Sequence, residues 1–248
     1  MKRRRRLEQV EQALQTANHK TDPHFIQDYL QNPYAPSAPW SPTWDDPSTG
    51  TTYSLCLRQP RRTMTNPELD ACFSLVRATS QTDYEGSSRG WDPSAKRDEM
   101  WHPDLRYILV KDPDSAIHAF TSLMPTIEEG QPVVYCYEIH LKPHLRGTGL
   151  ARLLMGWLET VAYNIDVVDK VMLTVFTRNK RAVGFYQTCG FVRDGISPQP
   201  RTLRGGKVKM PEYQILSKRV RDEGADESTL GPRKPAKIAR LDCAGTSL

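Results

Sequence analysis

The stretch from Val133 to Phe176 constrains the fold more than any other part of this 248-residue chain. Val133 to Leu141 is rich in β-branched and aromatic residues and reads as a long strand. Leu150, Leu153, Leu154, Trp157, Leu158 and Val161 then repeat at helical spacing and form the clearest amphipathic helix in the sequence. Val171 to Phe176 reads as a second, buried strand. A strand–helix–strand connection of this length is a crossover, so the two strands are expected to lie parallel and adjacent.

The elements around this unit are mixed in order. Thr52 to Leu57, Arg106 to Val110, Ala116 to Leu123 and Tyr213 to Ser217 read as strands. Asn66-Pro67 marks a helix start, and Leu69, Cys72, Phe73 and Val76 share one face of that helix. A shorter polar helix is expected over Ser94 to Trp101, and another over Lys180 to Cys189. The sum is an α/β fold, a mixed central sheet with helices on both faces. We place this domain at residues 51–219. Residues 1–50 hold a basic helix, with Leu7, Val10, Leu14 and Ala17 on one side, and an arm from Asp22 to Asp46 whose five prolines forbid a continuous helix or central strand. Tyr34, Trp40 and Trp44 are its expected anchors. Residues 220–248 lack aromatics, carry Lys234 and Lys237, and read as a disordered basic tail.

Composition excludes several classes. No apolar run reaches the roughly 18 residues of a membrane span, and the basic N-terminus lacks the apolar core of a secretory signal. The five cysteines are scattered, with no Cys-x-x-Cys pair, so neither a disulfide framework nor a structural metal site is expected. The net charge of +5 and the basic run Lys2 to Arg6 admit a nucleic-acid-binding protein, but no helix-turn-helix, zinc finger or aromatic RNA-binding motif accompanies them. That run reads equally as a solvated tail or a nuclear-import segment.

Between the long strand and the best helix lies Arg146-Gly147-Thr148-Gly149-Leu150-Ala151, followed by Arg152. A helix starting there aims unpaired N–H groups and its positive dipole end at whatever lies in front, which suits an anion such as a pyrophosphate. An ordinary strand–helix turn with two glycines is the plainer reading. A Walker loop is excluded, because no Gly-Lys-Ser/Thr comes after it; a dinucleotide fingerprint is excluded, because its third glycine is missing. Downstream come Asn179, Ala182, Phe185-Tyr186 and Gly190-Phe191.

The Arg-x-x-Gly-x-Ala loop followed by Asn, Ala, Phe-Tyr and Gly-Phe resembles the acetyl-CoA-binding core of the GCN5-related N-acetyltransferases (GNAT). The resemblance implies that the 146–152 loop cradles the pyrophosphate and that Ile139, His140 and Leu141 pair with the pantetheine through their backbone. It also implies that Asn179 contacts the cofactor and that Tyr186 lies near the thioester sulfur, either to protonate the thiolate or to hold it. The segments Val134 to Leu141, Tyr84-Glu85, Gly90-Trp91, Lys96 to Met100, Val171 to Phe176 and Tyr213 to Ser217 resemble, more narrowly, the histone-specific N-terminal acetyltransferases of the NatD type. That resemblance implies acetylation of the N-terminal Ser of histones four and two-A (Ser-Gly-Arg-Gly tails), in nucleus and cytoplasm, with ribosomes or nascent chains as further partners, and with neither membrane nor specific nucleic acid among them. It implies no metal.

The chemistry has its own logic. A protein α-amine, with a pKa of roughly 7.7–8.0, must lose a proton before attacking a thioester. Glu138 sits mid-strand, flanked by aromatics expected to raise its pKa, and is the candidate base; a salt-bridged carboxylate is the alternative. Tyr137 is expected to pin the first substrate residue, with Tyr84, Thr174 and Tyr213 closing the peptide site; sheet packing or a loop lid would account for the same residues. Strict alternation puts Tyr137 and Glu138 on opposite faces, so both can meet substrate only if the strand bulges. Two departures from the NatD pattern fall on the peptide side: Arg89 stands where the family has Trp, and Thr126 where it tends to have an acid, with Glu128 and Glu129 as substitutes. The basic residues Arg201, Arg204, Lys207 and Lys209 would repel a basic tail if they bordered the cleft; a solvated loop is the other reading. Lysine or small-amine acetylation on the same core is the alternative activity.

Overall fold

The computed structural model describes residues 2–31, 38–202, 204, 206 and 208–221. Tyr34, Lys207 and the tail with Lys234 and Lys237 lie outside the described residues. Among the described residues eight strands form one sheet in the order β1-β2-β3-β4-β5-β6-β10-β7. They are β1 (Thr43–Asp45), β2 (Thr52–Arg58), β3 (Arg106–Lys111), β4 (Ile117–Glu128), β5 (Gln131–Leu141), β6 (Lys170–Phe176), β7 (Val192–Arg193) and β10 (Tyr213–Arg219). A separate two-stranded ribbon pairs β8 (Arg201–Thr202) with β9 (Val208–Lys209). Among the described residues every pairing is antiparallel except β5 with β6, the pair that the crossover requires.

That crossover is α5 (Leu150–Asn164), whose Leu154, Trp157, Leu158 and Val161 are buried against the sheet. The α1 (Lys2–His19) residues Leu14 and Ala17 belong to the same core, as do Phe25 of α2 (Asp22–Phe25) and Leu30 of the adjoining π-helical turn Ile26–Leu30. The segment expected as an extended arm from Asp22 is therefore helical at its start. Arg106, fully buried, explains why it docks: its guanidinium pairs with Asp22 at 2.7 Å, donates to the Asn18 carbonyl at 3.1 Å and covers the Phe25 ring at 4.2 Å. A buried cation of this kind persists only with such partners. Farther along, Trp40 packs on Trp157 and Trp44 on Tyr53, so both of these expected anchors hold the arm to the domain.

A second core lies under α3 (Asn66–Glu85) and α4 (Pro93–Met100), with Leu69, Cys72, Val76 and Met100 packed on Tyr107, Leu109 and Phe120. The α3 cap falls one residue before the expected Asn66. Thr65 accepts from the Glu68 N–H at 3.3 Å while the Glu68 carboxylate accepts from the Thr65 N–H at 2.8 Å, a reciprocal box that satisfies two otherwise orphaned donors. Strand β4 runs five residues past its expected end, through Pro125. Its pairing with β3 stops at Leu123, so Pro125 faces no strand on that side and its missing N–H costs no ladder bond there. The Asn18 side chain donates to the Pro125 carbonyl instead, at 3.0 Å.

Two irregularities interrupt the sheet around β5. The β5–β6 pairing covers Val133 to Cys136 against Lys170 to Leu173 and then ends, so the strands part over their remaining residues. On the other side of β5, Ser122 pairs with Glu138 but Leu123 pairs with Cys136, which leaves Tyr137 as the extra residue of a bulge. A bulge here is the distortion that lets Tyr137 and Glu138 both line one cleft.

Candidate active site

The parting of β5 and β6 opens a cleft of about 560 Å³. At one end lies the 146–152 loop. Gly149 is the N-cap of α5 with φ +92°, and Gly147 has φ +83°, backbone states that a side chain would strain. A Cβ at either position would meet nothing within 4 Å, so the loop faces open space with a helix N-terminus behind it. Arg146, Gly147, Gly149, Ala151 and Arg152 line the cleft. Thr148 and Leu150 do not: the Thr148 hydroxyl donates to the Leu145 carbonyl at 2.8 Å, and Leu150 is buried in the core. Their side chains build the loop rather than face a ligand. This donor set suits a pyrophosphate, and the unpaired edge of β5 from Ile139 to Leu141 borders the same space.

Asn179 caps α6 (Lys180–Thr188) by accepting from the Ala182 N–H at 3.0 Å, and its amide donates to Asp83 at 3.2 Å while lining the cleft. The Tyr186 ring lies in the cleft floor, and burial pushes its phenol well above 10. Such a phenol keeps its proton at all working pH values, so its O–H remains available as a donor.

The other end of the cleft is a network of side chains. Glu138 is buried. One carboxylate oxygen contacts the Lys96 ammonium and the other contacts Nε2 of His140. Lys96, from α4, also donates to Glu99 at 2.7 Å and to the Tyr84 hydroxyl at 3.0 Å. His140 Nδ1 meets the Thr79 hydroxyl at 2.5 Å. Burial alone raises the Glu138 carboxyl, but the Lys96 charge and then the His140 ring outweigh it and bring it down to about 2. The expected elevation by flanking aromatics is thus overturned, because a buried ammonium in contact dominates over ring polarity. The salt-bridged carboxylate is what the structure contains, placed in the cleft wall.

Tyr84 belongs to the last turn of α3, not to a loop, and is wedged edge-on against Phe176 at 5.0 Å with Lys96 over its ring. Tyr137 lines the cleft beside it; burial, then the charges of Glu128 and Glu99, push its phenol up to about 12. Thr174 lines the cleft too, and its hydroxyl bonds Tyr135 at 2.7 Å. Tyr213 does not line it: paired opposite Phe176 in β10, it stands 42 % exposed just outside. Arg89 lies near Glu99, at 3.6 Å. The basic ribbon β8–β9 is exposed where described. Lys96, Thr79 and Asp83 are site residues to which sequence reasoning assigns no role. Lys96 opens one of the segments that resemble NatD, but nothing local marks it as buried. Among the described residues no three side chains are grouped to hold a metal, and no helix is long and apolar enough to cross a membrane.

Residues 73–191 match the sequence model of the Acetyltransferase (GNAT) family. The fold is that of the GNAT acetyltransferases. N-alpha-acetyltransferase 40 of Saccharomyces cerevisiae is similar to this chain, 33 % identical over 175 residues that cover 58 % of this chain and 60 % of the yeast protein. Mycothiol acetyltransferase of Salinispora arenicola is 30 % identical over 128 residues, 50 % of this chain and 41 % of its own length. The matches therefore span less than two thirds of either relative. A crystal structure of Arabidopsis thaliana NAA60 with a bisubstrate analogue overlays with a TM-score of 0.49 at 13 % identity, covering 67 % of this chain and 99 % of that one. Within the GNAT core, the glycine loop and the parted strands fall inside the matched residues, whereas Tyr213 lies beyond them.

Proposed function

We propose that this chain is an acetyl-CoA-dependent N-α-acetyltransferase whose substrate is the N-terminal Ser of histone-type Ser-Gly-Arg-Gly tails. The observation that carries the reading is the single cleft with an anion-binding loop at one end and a carboxylate among tyrosines at the other. Acetyl-CoA, when bound, supplies the acyl group and the thiolate that leaves. Gly147, Gly149, Arg146 and Arg152 hold its phosphates, the free edge of Ile139 to Leu141 orders the pantetheine arm, and the Tyr186 hydroxyl donates toward the sulfur. Asn179 fixes the start of α6 beside it.

The peptide end is walled by Tyr84, Tyr137 and Phe176. A chain end presents an amine and a backbone N–H in fixed relation, which rigid aromatic walls orient; a lysine on its flexible stem gains less from them. Glu128 lies close enough to act on Tyr137, whereas Glu99, which acts on it too, is paired with Lys96 and Arg89. Glu128 is the acid offered to a basic tail in place of the one absent at Thr126. The yeast relative's name supports the N-terminal class.

The test is incubation with acetyl-CoA and Ser-Gly-Arg-Gly-Lys peptides, N-terminus free or blocked, with the acetyl group located by mass spectrometry. Acetylation of the Ser amine in the free peptide and none on lysine in the blocked one supports the reading. Lysine acetylation at equal rate in the blocked peptide overturns it, as does an unaltered rate when Ser is replaced by Met.

A further inference from the structure

Gly86 follows the last turn of α3 with φ −86°, a negative value that any residue adopts, so backbone conformation does not call for a glycine there. Space does. A Cβ on Gly86 would run into the guanidinium of Arg178, which comes from the turn between β6 and α6. That guanidinium donates to the Gly86 carbonyl and, at 3.4 Å, to the Thr82 carbonyl. The last carbonyls of a helix and the negative end of its dipole both favour a cation at this place.

Further contacts join the same two segments. Asn179, next to Arg178, donates to Asp83 at 3.2 Å. The Glu212 carboxylate accepts from the Ser88 N–H and hydroxyl, both at 2.8 Å, and the Glu212 carbonyl accepts from the Thr177 N–H at 2.9 Å. Residues 82–88 are thus strapped to the end of β6 beyond the point where the β5–β6 pairing stops, at Cys136 and Leu173. The strap matters because the core does not reach this far. The buried residues of α3 are Leu69, Cys72, Leu75 and Val76, all in its first three turns. Tyr84 lies between the two residues whose carbonyls Arg178 grips, and its ring leans on Phe176, two residues before Arg178. Lys96 and Trp91 fix that ring from α4 and the loop before it, which leaves the backbone under Tyr84 to the strap.

Resting on the acetyl-transfer reading of this cleft, we infer that Arg178, seated in the space left by Gly86, latches the end of α3 to the β6 side and is a positioning residue for Tyr84 at the peptide end. Arg178 does not itself line the cleft, so it acts through Tyr84 and touches no substrate. The cofactor end does not depend on it, because Asn179 keeps its own bond to the Ala182 N–H at the start of α6. Arg178 and Gly86 are both exposed, so loss of the latch costs the fold little and leaves its effect on the peptide measurable.

Two readouts test this. The first is backbone amide exchange at Gly86, Ser87 and Ser88 in the free protein. Arg178→Ala should speed it about tenfold, and Gly86→Ala should do the same, because its Cβ displaces the guanidinium. The two changes together should do no more than either alone, since both remove one contact. Unchanged exchange in both single variants, or effects that multiply in the double variant, overturns the latch whether or not the protein turns over. The second readout is steady-state kinetics with an N-terminal peptide. Each single variant should raise KM for the peptide about fivefold, the weight of an exposed hydrogen bond, with kcat and acetyl-CoA affinity within about twofold of wild type. Arg178→Lys, which keeps a cation at the helix end, should recover part of the loss. An unchanged peptide KM overturns the positioning role and leaves acetyl transfer intact, as does an equal loss of affinity for acetyl-CoA. A wild-type protein that acetylates no N-terminal peptide overturns the acetyl-transfer reading itself, and the exchange rates then still decide whether Arg178 latches α3.

Discussion

The two ends of the cleft are built in opposite ways. The loop end is backbone: two glycines, a helix start, and arginines at the rim. The amine end is side chains from three elements, Lys96 from α4, Thr79 and Tyr84 from α3, and Glu138 with His140 from β5, all drawn into one buried chain of contacts. A backbone site tolerates change at many side chains, because its donors are N–H groups. A buried charge network does not, because removing one member strands another in a poorly solvating interior. The loop end should therefore bind almost independently of the amine end, while the amine end should couple stability to turnover.

The sharpest way to break that contrast is Lys96→Met. It leaves the Glu138 carboxylate buried without its ammonium, and removal of one partner of a buried pair costs about 3–5 kcal/mol. Chemical denaturation should register that loss, and kcat should fall with it. If stability and kcat are both unchanged, the network is not what holds Glu138. Arg146→Glu should act at the other end only: affinity for acetyl-CoA falls at least several-fold by calorimetry, while the melting temperature stays within a degree or two of wild type. Tyr137→Phe and Tyr213→Phe should be milder, raising KM for the peptide a few-fold and sparing the cofactor. Tyr137 should show the larger change, since Tyr213 stands outside the cleft wall.

Acid gives the smallest and broadest effect. The Glu138 carboxyl lies at about 2 in the folded protein against an ordinary value of 4.5. A group depressed in this way adds stability that is fully present above about 4.5 and is lost as pH falls toward 2. Glu68, held down by Lys111 and the Thr65 cap despite burial, works in the same direction. Denaturation midpoints should thus be flat from pH 7 to 5 and drop below that. Glu138→Gln should lessen the drop; an identical acid limb in that variant would mean that other carboxylates carry it.

The same contrast explains what the sequence reveals. The loop end is legible because its chemistry follows from local spacing: a strand, two glycines and an amphipathic helix in order. The crossover fixes which strands are neighbours, and alternation ties a shared face for Tyr137 and Glu138 to a bulge, which the strand has at Tyr137. The amine end is not legible in that way. Lys96 sits in a short polar helix and looks solvent-facing; it is buried through its contacts with Glu138 of β5 and Tyr84 of α3. The aromatic neighbours of Glu138 are visible in the sequence and suggest a raised pKa, whereas the ammonium that reverses the shift comes from far along the chain. Arg106 is a further case, a lone charge in a strand whose partners Asp22 and Asn18 lie in the N-terminal segment. Long-range charge pairing leaves no periodicity to read.

One cleft thus divides cofactor binding from proton removal, and Glu138→Gln tests that division most directly. The amide keeps the shape of the side chain but cannot carry the amine's proton. Measured side by side, the dissociation constant for acetyl-CoA should stay within about twofold of wild type, while kcat with a Ser-Gly-Arg-Gly peptide falls at least about 100-fold at pH 7 and recovers in part toward pH 9. Wild-type turnover from pH 6 to 9, or a parallel collapse of cofactor affinity and kcat, would contradict it.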